Sequence, residues 1–139
     1  MNDRDLTNFV EIVSCCDDVL DKIDYFKIDY KVWVHNVFVR DSVLLSISRI
    51  GELVTHFKTS EYQSLFPQIP WHMIKAMRNY IVHDYKNVDL DAAWDAATND
   101  VPKLKDVLLS NETVRAQYEV ERTAIAEDID SLIDGLDSL

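Results

Sequence analysis

The sequence predicts an all-α fold: an antiparallel four-helix bundle followed by an additional acidic helix at the C-terminal end. Three observations carry that reading. With two glycines and three prolines in 139 residues, the chain has too few turn formers for a sandwich or barrel of many short strands. Apolar residues recur at three- and four-residue intervals in most segments, which is the helical period. A domain of this length, 47% of it hydrophobic, can bury about two thirds of the surface its unfolded chain would expose, so it needs neither a disulfide nor a metal to hold it.

Residues 5–26 set Leu6, Phe9, Val10, Val13, Cys16, Val19, Leu20 and Ile23 on one stripe, and Asp17, Asp18, Asp21 and Asp24 fill the other side. Cys15 and Cys16 are adjacent, cannot readily pair with each other, and read as small buried hydrophobes. A second helix is expected from an N-cap at Asp29 to about Phe57, interrupted near 35–41 where Val37, Phe38 and Val39 are consecutive. Residues 58–70 read as a loop with one short turn, and Pro70 as the first residue of a third helix running to about Asp84. After a turn at Lys86-Asn87-Val88, Asp89 caps a fourth helix, which Pro102 should kink. Residues 1–110 thus form the bundle, and 111–139 an amphipathic acidic extension with Val114, Tyr118, Ile125, Ile129, Leu132, Leu136 and Leu139 on nearly a heptad seam.

A net charge of −11 argues against a conventional nucleic-acid binder, whose affinity comes from Lys and Arg on phosphates. The distribution matters more than the total. Residues 111–139 hold eight acids against Arg115 and Arg122, whereas within 72–86 the sole acid, Asp84, stands beside Lys75, Arg78 and Lys86. A locally basic patch on an acidic protein follows. No apolar run is long enough to span a membrane, and Met1-Asn2-Asp3-Arg4-Asp5 lacks the features of a signal peptide, so a cytoplasmic location is expected. His35, His56 and His72 stand at irregular intervals without companion ligands, there is no glycine-rich phosphate loop, and no serine-nucleophile signature occurs. Neither a metal nor a cofactor is expected.

The candidate chemistry lies in one segment, Ile69-Pro70-Trp71-His72-Met73-Ile74-Lys75-Ala76-Met77-Arg78-Asn79-Tyr80-Ile81-Val82-His83-Asp84-Tyr85-Lys86-Asn87-Val88-Asp89. An Arg five residues before a His is weak by itself. The Ile-Pro-Trp ahead of it, the Tyr two residues after the His and the Asp-containing turn make the segment specific. It closely resembles the signature of the HepT-like branch of the HEPN superfamily, toxins of the HEPN/MNT toxin–antitoxin modules, whose pattern is Arg, four residues, His, one residue, Tyr. Further resemblance comes from Arg40-Asp41-Ser42-Val43-Leu44, Ile50-Gly51-Glu52, and Val88-Asp89 through Trp94 to Asp100-Val101-Pro102. The likeness spans about residues 5–110. It departs at Leu53, where the family often has Ala, and nothing in it corresponds to residues 111–139.

The resemblance implies a homodimeric, HEPN-like four-helix bundle acting as a metal-independent endoribonuclease toxin of a type VII-like module. Its active-site pair would be Arg78 and His83, its substrate an RNA (tRNA or mRNA), and its partner a cognate MNT-type nucleotidyltransferase antitoxin that silences it by adenylylating Tyr85. The residues read independently agree on several points. On a helix Arg78 and His83 stand about 140° apart, so one copy offers a broad polar edge, and two copies across a dimer axis are needed to surround one phosphate. His83 would take the 2′-hydroxyl proton, Arg78 would neutralise the phosphorane, and a protonated His or water would supply the leaving oxygen. His83 falls in the last helical turn, at the negative end of the dipole, a position suited to an acid role.

Blander readings stand beside these. Arg78 could pair with Asp84 or Glu52 on a solvated face while His83 caps the helix, and Tyr85 could simply close the helix end. Asn79, four before His83, is expected to orient it or to touch the substrate backbone. Trp71, Trp94, Met73 and Met77 read as core, and Gly51 with Glu52 as a place of close helix approach. The alternative function is a catalytically inactive HEPN-type module that binds a nucleotide or a protein, with the acidic tail as its arm. That tail should dock its Ile/Leu face, its acids drawn to the Lys75, Arg78 and Lys86 patch or to a basic antitoxin.

Overall fold

The computed structural model describes residues 1–139, and the expected all-α class is what it shows: helices joined by short connections, with no strand. Helix α1 (Asp3–Tyr25) opens where the Asn2 side chain accepts the Asp5 N–H at 2.8 Å. It closes at Lys27, whose φ of 51° is the left-handed turn that redirects the chain. Asp29 caps α2 (Tyr30–His35) by accepting the Val32 N–H at 2.8 Å. The interruption expected near 35–41 is a full break: Asn36 adopts an extended conformation, and its side chain accepts the Val39 N–H at 3.1 Å to start α3 (Val37–Val54). A short α4 (Glu61–Leu65) occupies the connecting loop.

Helix α5 (Trp71–His83) begins one residue later than the sequence suggested, because Pro70 takes the N-cap position with ψ of 71°. After a 3-10 turn at Tyr85–Asn87, Asp89 caps α6 (Leu90–Asp95) by accepting the N–H groups of Asp91 and Ala92, both at 3.0 Å. The kink expected at Pro102 takes the form of a π turn, Ala96–Asp100, leading into α7 (Val101–Leu109). Proline cannot donate to the carbonyl four residues back, and widening the turn just ahead of it gives the ring room. Asn111 caps α8 (Glu112–Asp137) by accepting the N–H groups of Thr113 and Val114 at 3.0 and 3.1 Å.

Helix α3 lies between α1 and α5, and α7 and α8 pack on α1. Asn8 donates to the Leu53 carbonyl at one end, and Lys22 donates to the Ser42 carbonyl and the Ser46 hydroxyl at the other, each at 2.8 Å; α1 and α3 are therefore antiparallel. The core holds Phe9, Ile12, Val13, Val43, Leu44, Val54, Leu108 and Val114, with Trp33 fully buried and its indole N–H donating to the Leu90 carbonyl at 2.8 Å. Phe9, Phe57, Tyr62, Phe66 and Trp71 gather in one aromatic cluster where the loop carrying α4 closes that end of the bundle. Trp71 is core as expected. Met73 is not: at 61% exposure it lies on the outward stripe of α5, while Trp94 and Met77 are only partly buried. Cys15 and Cys16 are free and buried, and burial pushes both thiols above the ordinary range.

One acid departs from its expected solvent side. Asp17 is buried because α8 crosses α1 there, and its carboxylate takes Lys105 Nζ at 2.6 Å, the Tyr118 hydroxyl at 2.5 Å and Arg122 Nη1 at 3.0 Å. From Arg122 onward every residue of α8 is exposed, so the stripe of Ile125, Ile129, Leu132, Leu136 and Leu139 meets no partner within the chain, contrary to an intramolecular docking of the tail. No helix is long and apolar enough to cross a membrane. Asp17→Ala strands two cations and a phenol, and should cost about 3 kcal/mol in chemical denaturation. Leu132→Ala should change stability by less than about 0.5 kcal/mol. Equal losses in the two variants would mean that α8 is held by its outer half.

Candidate active site

The site grows from a notch in α3. A Cβ added to Gly51 would sit 2.3 Å from Arg78 Cβ, 2.9 Å from Arg78 Cγ and 3.0 Å from the Ile74 carbonyl oxygen, so only glycine lets α5 lie this close. The close approach expected at Gly51-Glu52 is thus present, and it is made to Arg78. The arginine stem crosses the notch and emerges at the edge, where Nη2 meets Glu52 Oε2 at 2.6 Å and Nη1 donates to Asn79 Oδ1 at 3.0 Å. Its Nε is buried without a partner. Of the two acids considered for Arg78, Glu52 takes it, and Asp84 instead accepts from Asn87 at 2.8 Å. Glu52 also faces His56 Nε2 at 3.8 Å. Asn79 joins Arg78, not His83, so it steadies the guanidinium.

His83 ends α5 and is exposed. Asp84 closes the helix with its N–H on the Tyr80 carbonyl at 2.9 Å, and the next residue, Tyr85, turns back onto α3, where its hydroxyl donates to Asp41 Oδ1. That hydrogen bond is the main reason the Tyr85 phenol titrates above its ordinary value, and the Arg40 guanidinium beside it works in the opposite direction. Arg40 is itself held by donating Nη1 to the carbonyls of Trp33 and Val34, both at 2.9 Å. Asp41 was not singled out as a site residue from the sequence. It stands in the Arg40-Asp41-Ser42 stretch, but a contact across 44 positions leaves no signal in local spacing.

The four residues expected to act together therefore divide into two linked places. Arg78 and Asn79 form one with Glu52. Tyr85 forms the other with Asp41, eleven residues before Glu52 and so about 16 Å away along α3 at 1.5 Å per residue, and His83 stands between them in the chain. On α3, Phe38, Leu45 and Glu52 recur every seven residues and share one stripe. On α5, Lys75, Asn79 and Val82 do the same at four and three, and the Arg78–Glu52 pair brings both stripes to one side of the seam. Phe38, Leu45 and Val82 are 84%, 60% and 50% exposed, which gives this side an uncovered apolar element around the charged groups.

The family model described as "Ribonuclease HepT-like" matches residues 16–110, the stretch that holds α2 to α7 and every residue of both places. The chain belongs to the HepT-like ribonuclease family. Its bundle is a HepT-like HEPN domain, and α8 lies beyond the matched segment. Among curated relatives it is 31% identical to "Putative RNase MJ1380" of Methanocaldococcus jannaschii over 107 residues, 76% of this chain and 94% of that protein. It is 29% identical over 107 residues to "Putative RNase MJ0125" of the same organism, 76% of this chain and 89% of that one. With "Probable ribonuclease HepT" of Thermococcus cleftensis it shares 31% over 64 residues, 46% of this chain and 57% of that one. No solved structure gives a significant match.

In this HepT-like bundle, Gly51→Ala must either push α5 away or bend the Arg78 stem, and should lower stability by about 2 kcal/mol with displacement of Arg78 in a crystal structure. Glu52→Gln, at a half-exposed pair, should change stability by less than about 1 kcal/mol. A Gly51→Ala variant as stable as the parent, with Arg78 unmoved, would refute the notch as the determinant of that side chain.

Proposed function

We propose that the chain is a metal-independent endoribonuclease toxin that cleaves RNA at a composite site of a homodimer and is silenced when a cognate MNT-type nucleotidyltransferase adenylylates Tyr85. The observation that carries this reading is the complete Arg78, His83, Tyr85 series along the second half of α5 and the turn after it, with Arg78 seated by Gly51, Glu52 and Asn79 in a bundle of the HepT-like family. Phe38, Leu45 and Val82 are the apolar contacts of the proposed dimer, set around the charged groups that two copies would pool.

In the proposed reaction a neutral His83 takes the proton of the 2′-hydroxyl, whose oxygen forms a bond to the adjacent phosphorus. The two Arg78 side chains hold the non-bridging oxygens as charge builds on the phosphorane. Protonated His83 of the second copy then gives its proton to the 5′-oxygen as the P–O bond breaks, leaving a 2′,3′-cyclic phosphate. Arg78 reaches the phosphate by exchanging Glu52 for it. A half-exposed ion pair is worth only about 0–1 kcal/mol, so the exchange is cheap. Adenylylation would put a phosphodiester and a nucleoside on Tyr85, beside Arg40, at the edge of the proposed cleft. Residues 1–110 are the ribonuclease bundle in this proposal, and 111–139 an extension whose Ile/Leu face and acids serve a partner.

A second reading has one observation in its favour: Arg78 is already occupied by Glu52 in a protein of net charge −11, as an inert nucleotide- or protein-binding module would have it. Activity decides between them. Cleavage should persist in excess EDTA, leave 2′,3′-cyclic phosphate ends, and fall by at least about 100-fold in Arg78→Ala or His83→Ala. Products with 3′-hydroxyls, or a dependence on added Mg²⁺, would remove the proposed mechanism, and no cleavage by the parent chain would leave the inert module. Sedimentation should find a dimer that Leu45→Asp dissociates.

A further inference from the structure

The side chain that accepts the Tyr85 hydroxyl's hydrogen is Asp41, and the reaction proposed for Tyr85 needs something to take that hydroxyl's proton. Tyr85 belongs to the turn after α5 and Asp41 to the first half of α3, so the contact bridges two elements and fixes the phenol's direction. Tyr85 is 44% exposed, so the phenol stands at the surface where an electrophile can approach the residue. Arg40 bears on the same hydroxyl and is anchored by two backbone carbonyls, so a fixed positive charge stands beside the phenol. Asp41 and Arg40 are the charged groups facing Tyr85 from α3; His83, Asp84 and Lys86 flank it in its own chain segment.

We infer that Asp41 is the residue of this chain that orients Tyr85 as a nucleophile and accepts its proton during nucleotidyl transfer. The inference rests on the proposed adenylylation of Tyr85 for its biological setting, though not for its chemistry. In the step, Tyr85 Oη forms a bond to the α-phosphorus of ATP, the bond from that phosphorus to the β-phosphate oxygen breaks, and pyrophosphate leaves with the electron pair. The phenolic proton passes to Asp41 Oδ1 and from there to water. A neutral phenol is a poor nucleophile, and its raised titration makes the phenolate scarcer still at neutral pH, so a positioned base has work that solvent hydroxide does slowly.

An internal reference is built into the chain. Tyr30 donates to Asp91 Oδ1 at 2.5 Å in the same manner, between α2 and α6. The test compares the parent chain with Asp41→Asn and Asp41→Glu in two reactions, each read by peptide mass spectrometry at Tyr85 and Tyr30. The first uses N-acetylimidazole, which needs no protein partner; the second uses ATP with the nucleotidyltransferase proposed above. Asp41→Asn should slow labelling of Tyr85 by ATP about 100-fold, with partial recovery in Asp41→Glu, and leave labelling of Tyr30 by N-acetylimidazole unchanged. In the acetylation, Tyr85 of the parent should show a shallow pH dependence between pH 6 and 9. In Asp41→Asn the rate should climb about tenfold per pH unit as it comes to depend on phenolate. Equal rates and equal pH slopes at Tyr85 in parent and Asp41→Asn would overturn the inference while leaving the adenylylation proposal standing. Absence of ATP labelling at Tyr85 in the parent would overturn the nucleotidyl step, and the acetylation would still decide whether Asp41 acts as the base.

Discussion

Everything at the candidate site depends on how closely α5 can lie on α3 at Gly51. A methyl group there would overlap the first two carbons of Arg78, so the absence of a side chain sets the spacing of the two helices and lays the arginine stem across the gap. From that contact the rest follows by register. Arg78 emerges beside Glu52 and Asn79, the helices run antiparallel away from the notch, and the chain leaving α5 brings Tyr85 to Asp41 near the start of α3. One packing distance thus places both charged clusters.

The charge distribution is compatible with the phosphate site proposed for an acidic protein. Its excess negative charge is concentrated on α8, and the single acid that α8 draws into the structure, Asp17, is balanced by Lys105 and Arg122 and bonded by Tyr118. The seam of α3 and α5 instead carries Arg40, Lys75 and Arg78 against Asp41 and Glu52, each acid engaged by a named partner. A pair as exposed as Arg78–Glu52 holds the guanidinium in place without holding it tightly, which suits the exchange of Glu52 for a phosphate in the proposed reaction.

The local features were legible in the sequence because they are written in local chemistry. Asp29 and Asp89 sit where a helix needs an acceptor for its free N–H groups, and both cap as expected. The unusual run at Val37 to Val39 marks the break at Asn36, and a lone glycine inside a helical pattern marks the close approach. What the pattern could not show was which acids find distant partners. Asp17 carries the same periodicity as Asp18 and Asp21, yet α8, more than 100 positions away, covers it alone. Asp41 stands in a stretch that carries the family resemblance, but its contact with Tyr85 spans 44 positions and leaves no mark in local spacing. Met73 fits the apolar period, but nothing in the chain lies over that face of α5.

In the proposed reaction one copy supplies only part of a site which two copies complete. Mixing the parent chain with an Arg78→Ala/His83→Ala subunit tests it, because the mixed dimer keeps one arginine and one histidine where the proposed reaction uses two of each. After co-refolding at constant total protein, activity should fall with the square of the parent fraction, since only parent–parent dimers cut RNA. Activity that falls in direct proportion to the parent fraction, while mass measurement shows that mixed dimers have formed, would contradict the composite site.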